Sequence, residues 1–146
     1  MSLVQVGKIS ELFYSTDDGR VNPSILNLDE KGVIEDKYYD KDILRSVLIA
    51  SEQSYELASS HGINAPYSTL GENILTDYNP YHLDTGTRLM INDLVLEISQ
   101  NCTLCNSLAK VDSRLPKLLK ADRGIFAKVI TSGTIHKGDN IYLLNK

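Results

Sequence analysis

The chain is organised around the stretch from Asp84 to Lys110, DTGTRLMINDLVLEISQNCTLCNSLAK. Within it, Arg88–Ile91 is a short run of β-formers, and Leu94–Ser99 places apolar residues at every second position. Such alternation is typical of a half-buried β-strand. Between the two runs, Asn92-Asp93 is a pair of residues that tolerates the positive φ angles of a tight turn. The stretch therefore predicts a β-hairpin, and the cysteine pair and a short helix follow it.

Similar runs of β-formers, separated by turns rich in Gly, Asp and Asn, occur on both sides of this hairpin. The predicted strands are Leu3–Tyr14 (with a break near Gly7-Lys8), Val21–Leu28, Ile43–Ala50, Ile74–Thr76, Ile125–Ile130, Thr134–His136 and Ile141–Leu144. One helix is predicted after Ser51, a natural N-cap, and it ends at His61-Gly62. Many short strands with few helices predict a mainly β fold, a distorted closed β-barrel with short flanking helices.

Length and composition narrow the class of protein further. The 146 residues are expected to form a single domain, residues 1–146, and the apolar fraction of 42% and charged fraction of 23% are ordinary for a globular chain. The net charge is −4 and there is no basic stripe, so a nucleic acid is not expected as the partner. There is no signal peptide and no membrane-spanning run, which favours a cytoplasmic location in which thiols stay reduced.

The only two cysteines, Cys102 and Cys105, are the main candidates for chemistry. A zinc site needs two further ligands, and the three histidines are scattered along the chain. A redox dithiol is expected in a βαβ context, which the strand pattern does not predict. A thiolate at the start of a helix suits a thiophilic metal, and a persulfide on Cys105 with Cys102 as resolving thiol is also consistent with this spacing. The alternative to these chemical roles is that Cys105 is an inert, half-buried residue.

An ordered series of motifs from Gly71 to the end of the chain resembles the MOSC domain of molybdenum-cofactor sulfurases. The series comprises Gly71-Glu72-Asn73, Gly86-Thr87-Arg88-Leu89, a hairpin ending at Ser99-Gln100, a cysteine six residues beyond Ser99, Arg123–Val129, Gly133 and Gly138–Ile141. In the N-terminal half, Gly32, Asp36 and Arg45 fit the family pattern. Glu35 stands where a glycine is usual, and no histidine follows Asp36.

This resemblance implies a cleft for the molybdopterin form of the molybdenum cofactor. The family cysteine corresponds to Cys105, which would ligate molybdenum or carry a sulfane sulfur, whereas Cys102 is an addition. The candidates for contact with the cofactor phosphate are Arg45, Arg88, Arg123 and Lys128. Glu72 and Asn73 would either bond the edge of the pterin or tie the barrel together, and the sequence does not distinguish these roles.

The resemblance leaves the function open between an enzyme and a carrier. Related enzymes reduce N-hydroxylated compounds, and since no haem, flavin or iron–sulfur motif is visible here, an enzyme of this kind would act with a partner reductase. The alternative is a non-catalytic carrier that delivers sulfur or the molybdenum cofactor to an acceptor enzyme by means of a persulfide on Cys105. A domain that has lost its cofactor is a third possibility.

Overall fold

The structure is a computed structural model that describes residues 2–101, 108–119 and 122–145. The strands are β1 Ser2–Leu12, β2 Tyr14–Thr16, β3 Gly19–Val21, β4 Ile25–Asp29, β5 Gly32–Val33, β6 Val47–Ser51, β7 Ile74–Thr76, β8 Arg88–Ile91, β9 Leu94–Asn101, β10 Ile125–Thr131, β11 Gly133–His136 and β12 Asn140–Asn145. The helices are α1 Glu52–Ser60, α2 Leu108–Val111 and α3 Leu115–Leu118, with a 3₁₀ turn at Ile43–Arg45. No helix in these ranges is long and apolar enough to span a membrane.

Seven strands close a barrel in the order β1-β12-β8-β9-β10-β6-β7 and back to β1. The predicted mainly β barrel with short flanking helices is thus confirmed. A second sheet, β11-β4-β5, and the small hairpin β2-β3 lie beside it. The first strand does not break near Gly7: β1 is continuous from Ser2 to Leu12, its pairing with β12 shifts register between Gln5 and Gly7, and Tyr14 begins the separate strand β2.

The β8–β9 hairpin forms as the alternation predicts. Asn92 has a φ of +54° in the two-residue turn, and Leu89 pairs with Leu96. Along β9 the side chains of Leu94, Leu96 and Ile98 are buried, while those between them are partly exposed. These buried residues form the main apolar core, which the barrel shares with the second sheet, together with Ile9, Leu12, Leu26, Leu28, Val33, Val47, Ile49, Ile74, Leu89, Ile91, Ile125, Ala127, Val129, Ile135 and Ile141.

Among the strands that the structure describes, the barrel has one pair of parallel neighbours, β6 and β7. Parallel strands need a long crossover connection, and here α1 provides it. Ser51 caps α1 as predicted, because its Oγ accepts the Gln53 backbone N–H at 3.2 Å. Helix α1 then packs Tyr55 and Ala58 into a second apolar cluster with Phe13, Ile63, Leu70, Leu75, Leu115 and Leu119. The crossover is therefore anchored on the outside of the barrel.

Two further predicted strands differ from the structure by several residues. The segment Ile43–Ala50 begins with the 3₁₀ turn, since the Asp42 side chain caps it by accepting the Leu44 N–H at 3.2 Å, and the strand begins only at Val47. All five residues of β6 are buried, as its continuous apolar run predicts. The segment Val21–Leu28 divides at Pro23 into β3 and β4, because proline lacks the N–H that a ladder needs.

Gly133 lies where another residue would collide with backbone. A Cβ added there would lie 2.6 Å from the Leu94 nitrogen. We expect Gly133→Ala to lower the free energy of unfolding by about 1–3 kcal/mol, the usual cost of overpacking. Ser132→Ala places the same methyl side chain at the preceding residue, which is exposed. This variant should change the free energy of unfolding by less than about 0.5 kcal/mol. Urea unfolding of the two variants tests this, and equal losses would contradict the close approach.

Candidate functional site

A cleft of about 350 Å³ opens beside the start of β6. Its lining contains three cationic residues, Arg20, Lys41 and Arg45, and two acidic residues, Asp36 and Asp42. Leu48 and Phe126 provide apolar wall, and the other lining residues are Ser15, Tyr38, Ser46, Gly71 and Asn73. The cleft therefore combines positive charge with an aromatic surface, which suits a planar ligand that carries an anionic group.

Arg45 reaches the cleft from the 3₁₀ turn, and its guanidinium lies over the Phe126 ring, 4.8 Å from the ring centroid. This cation–π contact orients a flexible side chain without neutralising its charge. The turn itself is tied to β9, because Ser99 Oγ donates to the Leu44 carbonyl. The short 3₁₀ turn, which the strand prediction missed, is therefore what presents Arg45 to the cleft.

Asn73 lines the cleft, but its amide already has partners. Its Oδ1 accepts the Leu48 backbone N–H at 3.0 Å, and its Nδ2 donates to the Phe13 carbonyl at 3.2 Å and to Asp36 Oδ2 at 3.3 Å. Asp36 Oδ1 also accepts the Ser15 N–H at 2.9 Å. Asn73 therefore ties the barrel together, one of the two roles that the sequence left open, and its assignment to cofactor contact stays a prediction.

Glu72 lies behind the cleft wall with its side chain fully buried. The Tyr55 hydroxyl lies 2.8 Å from one carboxylate oxygen and 2.7 Å from the other, and the Ser68 N–H donates to Oε2 at 3.0 Å. Burial raises the pKa of the Glu72 carboxyl above its ordinary value, against the opposing hydrogen bonds from Tyr55 and Ser68 and the attraction of Arg20. The buried carboxyl group thus links Tyr55 of α1 to Ser68 behind the cleft wall.

Arg20 is a cleft residue that the sequence analysis did not identify. It follows the β2–β3 turn and donates to Ser68 Oγ at 2.6 Å, to Ser15 Oγ at 2.7 Å and to the Glu72 carbonyl. Its guanidinium also lies over the Phe13 ring, 5.6 Å from the centroid. No local pattern marks Arg20, because its partners belong to segments that are distant along the chain.

The other predicted phosphate contacts lie away from the cleft lining. Arg88 and Lys128 both pair with Glu97 on the outward side of β9, at 3.1 and 3.3 Å. Arg123 donates through Nη2 to the Pro116 carbonyl, next to α3. The structure therefore brings together Arg45 and Asn73 with Glu72 directly behind them, and it separates Arg88, Arg123 and Lys128 from this group.

Cys102 and Cys105 lie outside the described residues. The described chain ends before them at Asn101, which pairs with Ile125 on β10, and the next residue along β10 is Phe126 of the cleft wall. In the ranges that the structure does describe, no three His, Cys, Asp or Glu side chains are grouped to hold a metal ion. A metal-ligating role for Cys105 therefore stays a prediction.

The buried Glu72 makes stability depend on pH. Because its pKa is raised in the folded state, the folded protein holds this proton more tightly than the unfolded chain. Its contribution to stability is present below the ordinary glutamate pKa, about 4.3, and is lost as pH rises through the raised value. We expect the unfolding free energy of Glu72→Gln to fall less than that of the wild type across this window, by about 1.4 kcal/mol for each pH unit by which the pKa is raised.

Urea unfolding between pH 4 and pH 8 measures this difference. Glu56→Gln is the matched control, because Glu56 lies on the exposed side of α1. Parallel curves for Glu72→Gln and the wild type would show that the buried carboxylate does not titrate in this window and would contradict the prediction.

Comparisons with known proteins agree with this architecture. The structure superposes on the YuaD protein from Bacillus subtilis with a TM-score of 0.85 and 17% identity, covering 97% of each chain. YiiM from Escherichia coli gives 0.72 with 19% identity, covering 95% of this chain and 70% of YiiM. YiiM from Geobacillus stearothermophilus gives 0.66 with 15% identity, covering 99% and 76%. At these identities the likeness concerns the fold.

The family assignment comes from the sequence. No curated protein matches the chain. The family model for the MOSC domain matches residues 40–142, most of the chain, and this range contains every motif from Gly71 onward on which the resemblance was based. The chain therefore belongs to the MOSC domain family.

Proposed function

We propose that the cleft binds the pterin and phosphate of the molybdenum cofactor, with which the MOSC family is associated. The observation that carries the proposal is electrostatic. Arg20, Lys41 and Arg45 line one cleft, and within the described part of the chain none of them forms an ion pair. Cations without a direct ion pair, beside an aromatic wall, suit a phosphorylated planar ligand.

The two acids of the cleft do not cancel this charge by direct pairing. Asp36 is occupied by the Ser15 N–H and the Asn73 amide, and Asp42 caps the 3₁₀ turn. Their carboxylates therefore accept hydrogen bonds that stabilise the fold. The planar guanidinium of Arg45 is left able to donate two hydrogen bonds to phosphate oxygens. With a volume of about 350 Å³ and the Phe126 wall, the residues present fit the pterin phosphate part of the group.

Cys105 is proposed as the thiolate ligand of molybdenum. It lies four residues after Asn101, and four residues of extended chain span at most about 14 Å. Since Asn101 pairs with Ile125 next to Phe126, the cysteine is tethered to the strand that forms the cleft wall. A soft thiolate is the ligand type that a thiophilic metal prefers.

The activity that we propose is reduction of N-hydroxylated compounds together with a partner reductase. In this reaction the N–O bond of R–NHOH breaks, two electrons from the partner and two protons are consumed, and R–NH₂ and water form. When bound, the molybdenum cofactor supplies the two-electron redox centre. The chain itself contributes binding and orientation: Arg45 holds the anionic end, and Phe126 supports the planar part.

The first test is cofactor content. The protein is purified anaerobically from a host that makes molybdenum cofactor, and molybdenum is measured by mass spectrometry and oxidised pterin by fluorescence. We expect near-stoichiometric amounts of both in the wild type, loss of molybdenum in Cys105→Ser, and about tenfold less pterin in Arg45→Gln, the cost of a charged hydrogen bond. Arg114→Gln is the control, because Arg114 pairs with Asp112 outside the cleft. A folded wild type without molybdenum and pterin would refute the proposal.

The carrier function is the second candidate, and the additional thiol of Cys102 favours it. A persulfide on Cys105 can release its sulfur as hydrosulfide when a neighbouring thiolate attacks the inner sulfur and a disulfide forms. A carrier should therefore show a persulfide-sized mass increase on Cys105, and Cys102→Ser should slow sulfur release several-fold. For the reductase, the same substitution should leave hydroxylamine reduction nearly unchanged. Mass spectrometry and a sulfide assay on the two variants distinguish these functions.

A further inference from the structure

Ser68 adopts a backbone conformation that its side chain disfavours. Its φ is +84°, in the left-handed region where glycine is the usual residue. Strain of this kind persists where the surroundings hold the residue in place, and it is concentrated at functional sites. Here the Ser68 N–H donates to Glu72 Oε2 at 3.0 Å, while its Oγ accepts the Arg20 Nε–H at 2.6 Å. The strained serine thus connects a buried carboxylate to a cation of the cleft.

Arg20 retains donors after these contacts are made. A guanidinium has five N–H groups, and Arg20 donates three hydrogen bonds, to Ser68, Ser15 and the Glu72 carbonyl. In the described ranges the remaining two N–H groups have no acceptor. All three acceptors are uncharged oxygen atoms, and the carboxylates of Glu72 and Asp36 attract the guanidinium without a direct ion pair. The side chain is therefore fixed in the cleft lining while keeping both charge and donors for a ligand.

We propose that Arg20 binds an oxyanion in the cleft and that Ser68 is its positioning residue. The two remaining N–H groups belong to Nη1 and Nη2, and a guanidinium can donate from these two nitrogens to two oxygen atoms of one phosphate. The inference deepens the proposed function, and it rests on that function only for identifying the oxyanion as the phosphate of the cofactor.

The conformation of Ser68 separates positioning from a merely structural role. If residue 68 served only as a turn, glycine would suit its φ better and would remove the strain. Glycine cannot accept the Arg20 Nε–H, however, so Arg20 would lose one of its three supports. Ser68→Gly should therefore preserve or raise the melting temperature and still weaken oxyanion binding. A purely structural serine would not give this combination.

The experiment uses the full chain from a host unable to make molybdenum cofactor. Inorganic phosphate is titrated at constant ionic strength, and binding is followed by calorimetry and by the NMR signal of the Arg20 Nε–H. Relative to the wild type, we expect Kd to rise about three- to tenfold in Ser68→Gly and tenfold or more in Arg20→Lys, which keeps the charge but loses the fork. Asn92→Gly, at a left-handed residue of the β8–β9 turn, should leave Kd unchanged.

Each failure has a distinct meaning. A wild-type protein whose Arg20 signal does not respond to phosphate overturns the oxyanion site, and an unchanged Kd in Ser68→Gly overturns the positioning role. In a second arm, pterin is measured in the same variants from a cofactor-producing host. Pterin lost together with phosphate binding supports the cofactor phosphate as the ligand. Phosphate binding by a wild type that carries no pterin would refute the proposed function and leave the oxyanion site standing.

Discussion

Closure of the barrel depends on Asn73. Strand β7 has only three residues, and just before it Asn73 bonds with both main chain and side chain to Leu48 of β6 and to Phe13, which directly follows β1. Its N–H donates to the Leu48 carbonyl at 2.8 Å, and its Oδ1 accepts the Leu48 N–H. On the other side its carbonyl accepts the Phe13 N–H at 2.9 Å, and its Nδ2 donates to the Phe13 carbonyl. The amide side chain of Asn73 thus forms backbone hydrogen bonds that a longer β7 strand would otherwise provide.

The same constraint shapes the cleft. By holding Leu48, Asn73 fixes the first residues of β6, and by donating to Asp36 it fixes a carboxylate of the cleft lining. A buried amide with all its groups paired is costly to displace, since each partner would be left unsatisfied. Folding and site formation are therefore linked: the contacts that close the barrel also keep the carboxylate of Asp36 away from a direct ion pair with Arg20 or Arg45.

The barrel could be predicted because its strands and turns are marked locally by alternation, caps and tolerant turn residues. The 3₁₀ turn before β6 was missed, since β-formers there outweighed the capping side chain of Asp42. The cleft is harder to predict, because its contacts are long-range: Asn73 bonds to Leu48 and Phe13, 25 and 60 residues away, and Arg20 reaches Ser68 across 48 residues. The left-handed conformation of Ser68 has no sequence signal, because serine is not a usual residue there.

The local charge of the cleft lining differs in sign from the net charge of −4 of the chain. At physiological ionic strength charges are screened beyond about 8 Å, so the potential in a cleft is set by its own lining. Elsewhere on the barrel Glu97 forms ion pairs with both Arg88 and Lys128. In the cleft, three cations face two acids that are bonded to backbone and amide groups. The formal charge of this lining is +1, and the hydrogen bonds that hold the two acids leave the guanidinium groups of Arg20 and Arg45 without a direct ion pair.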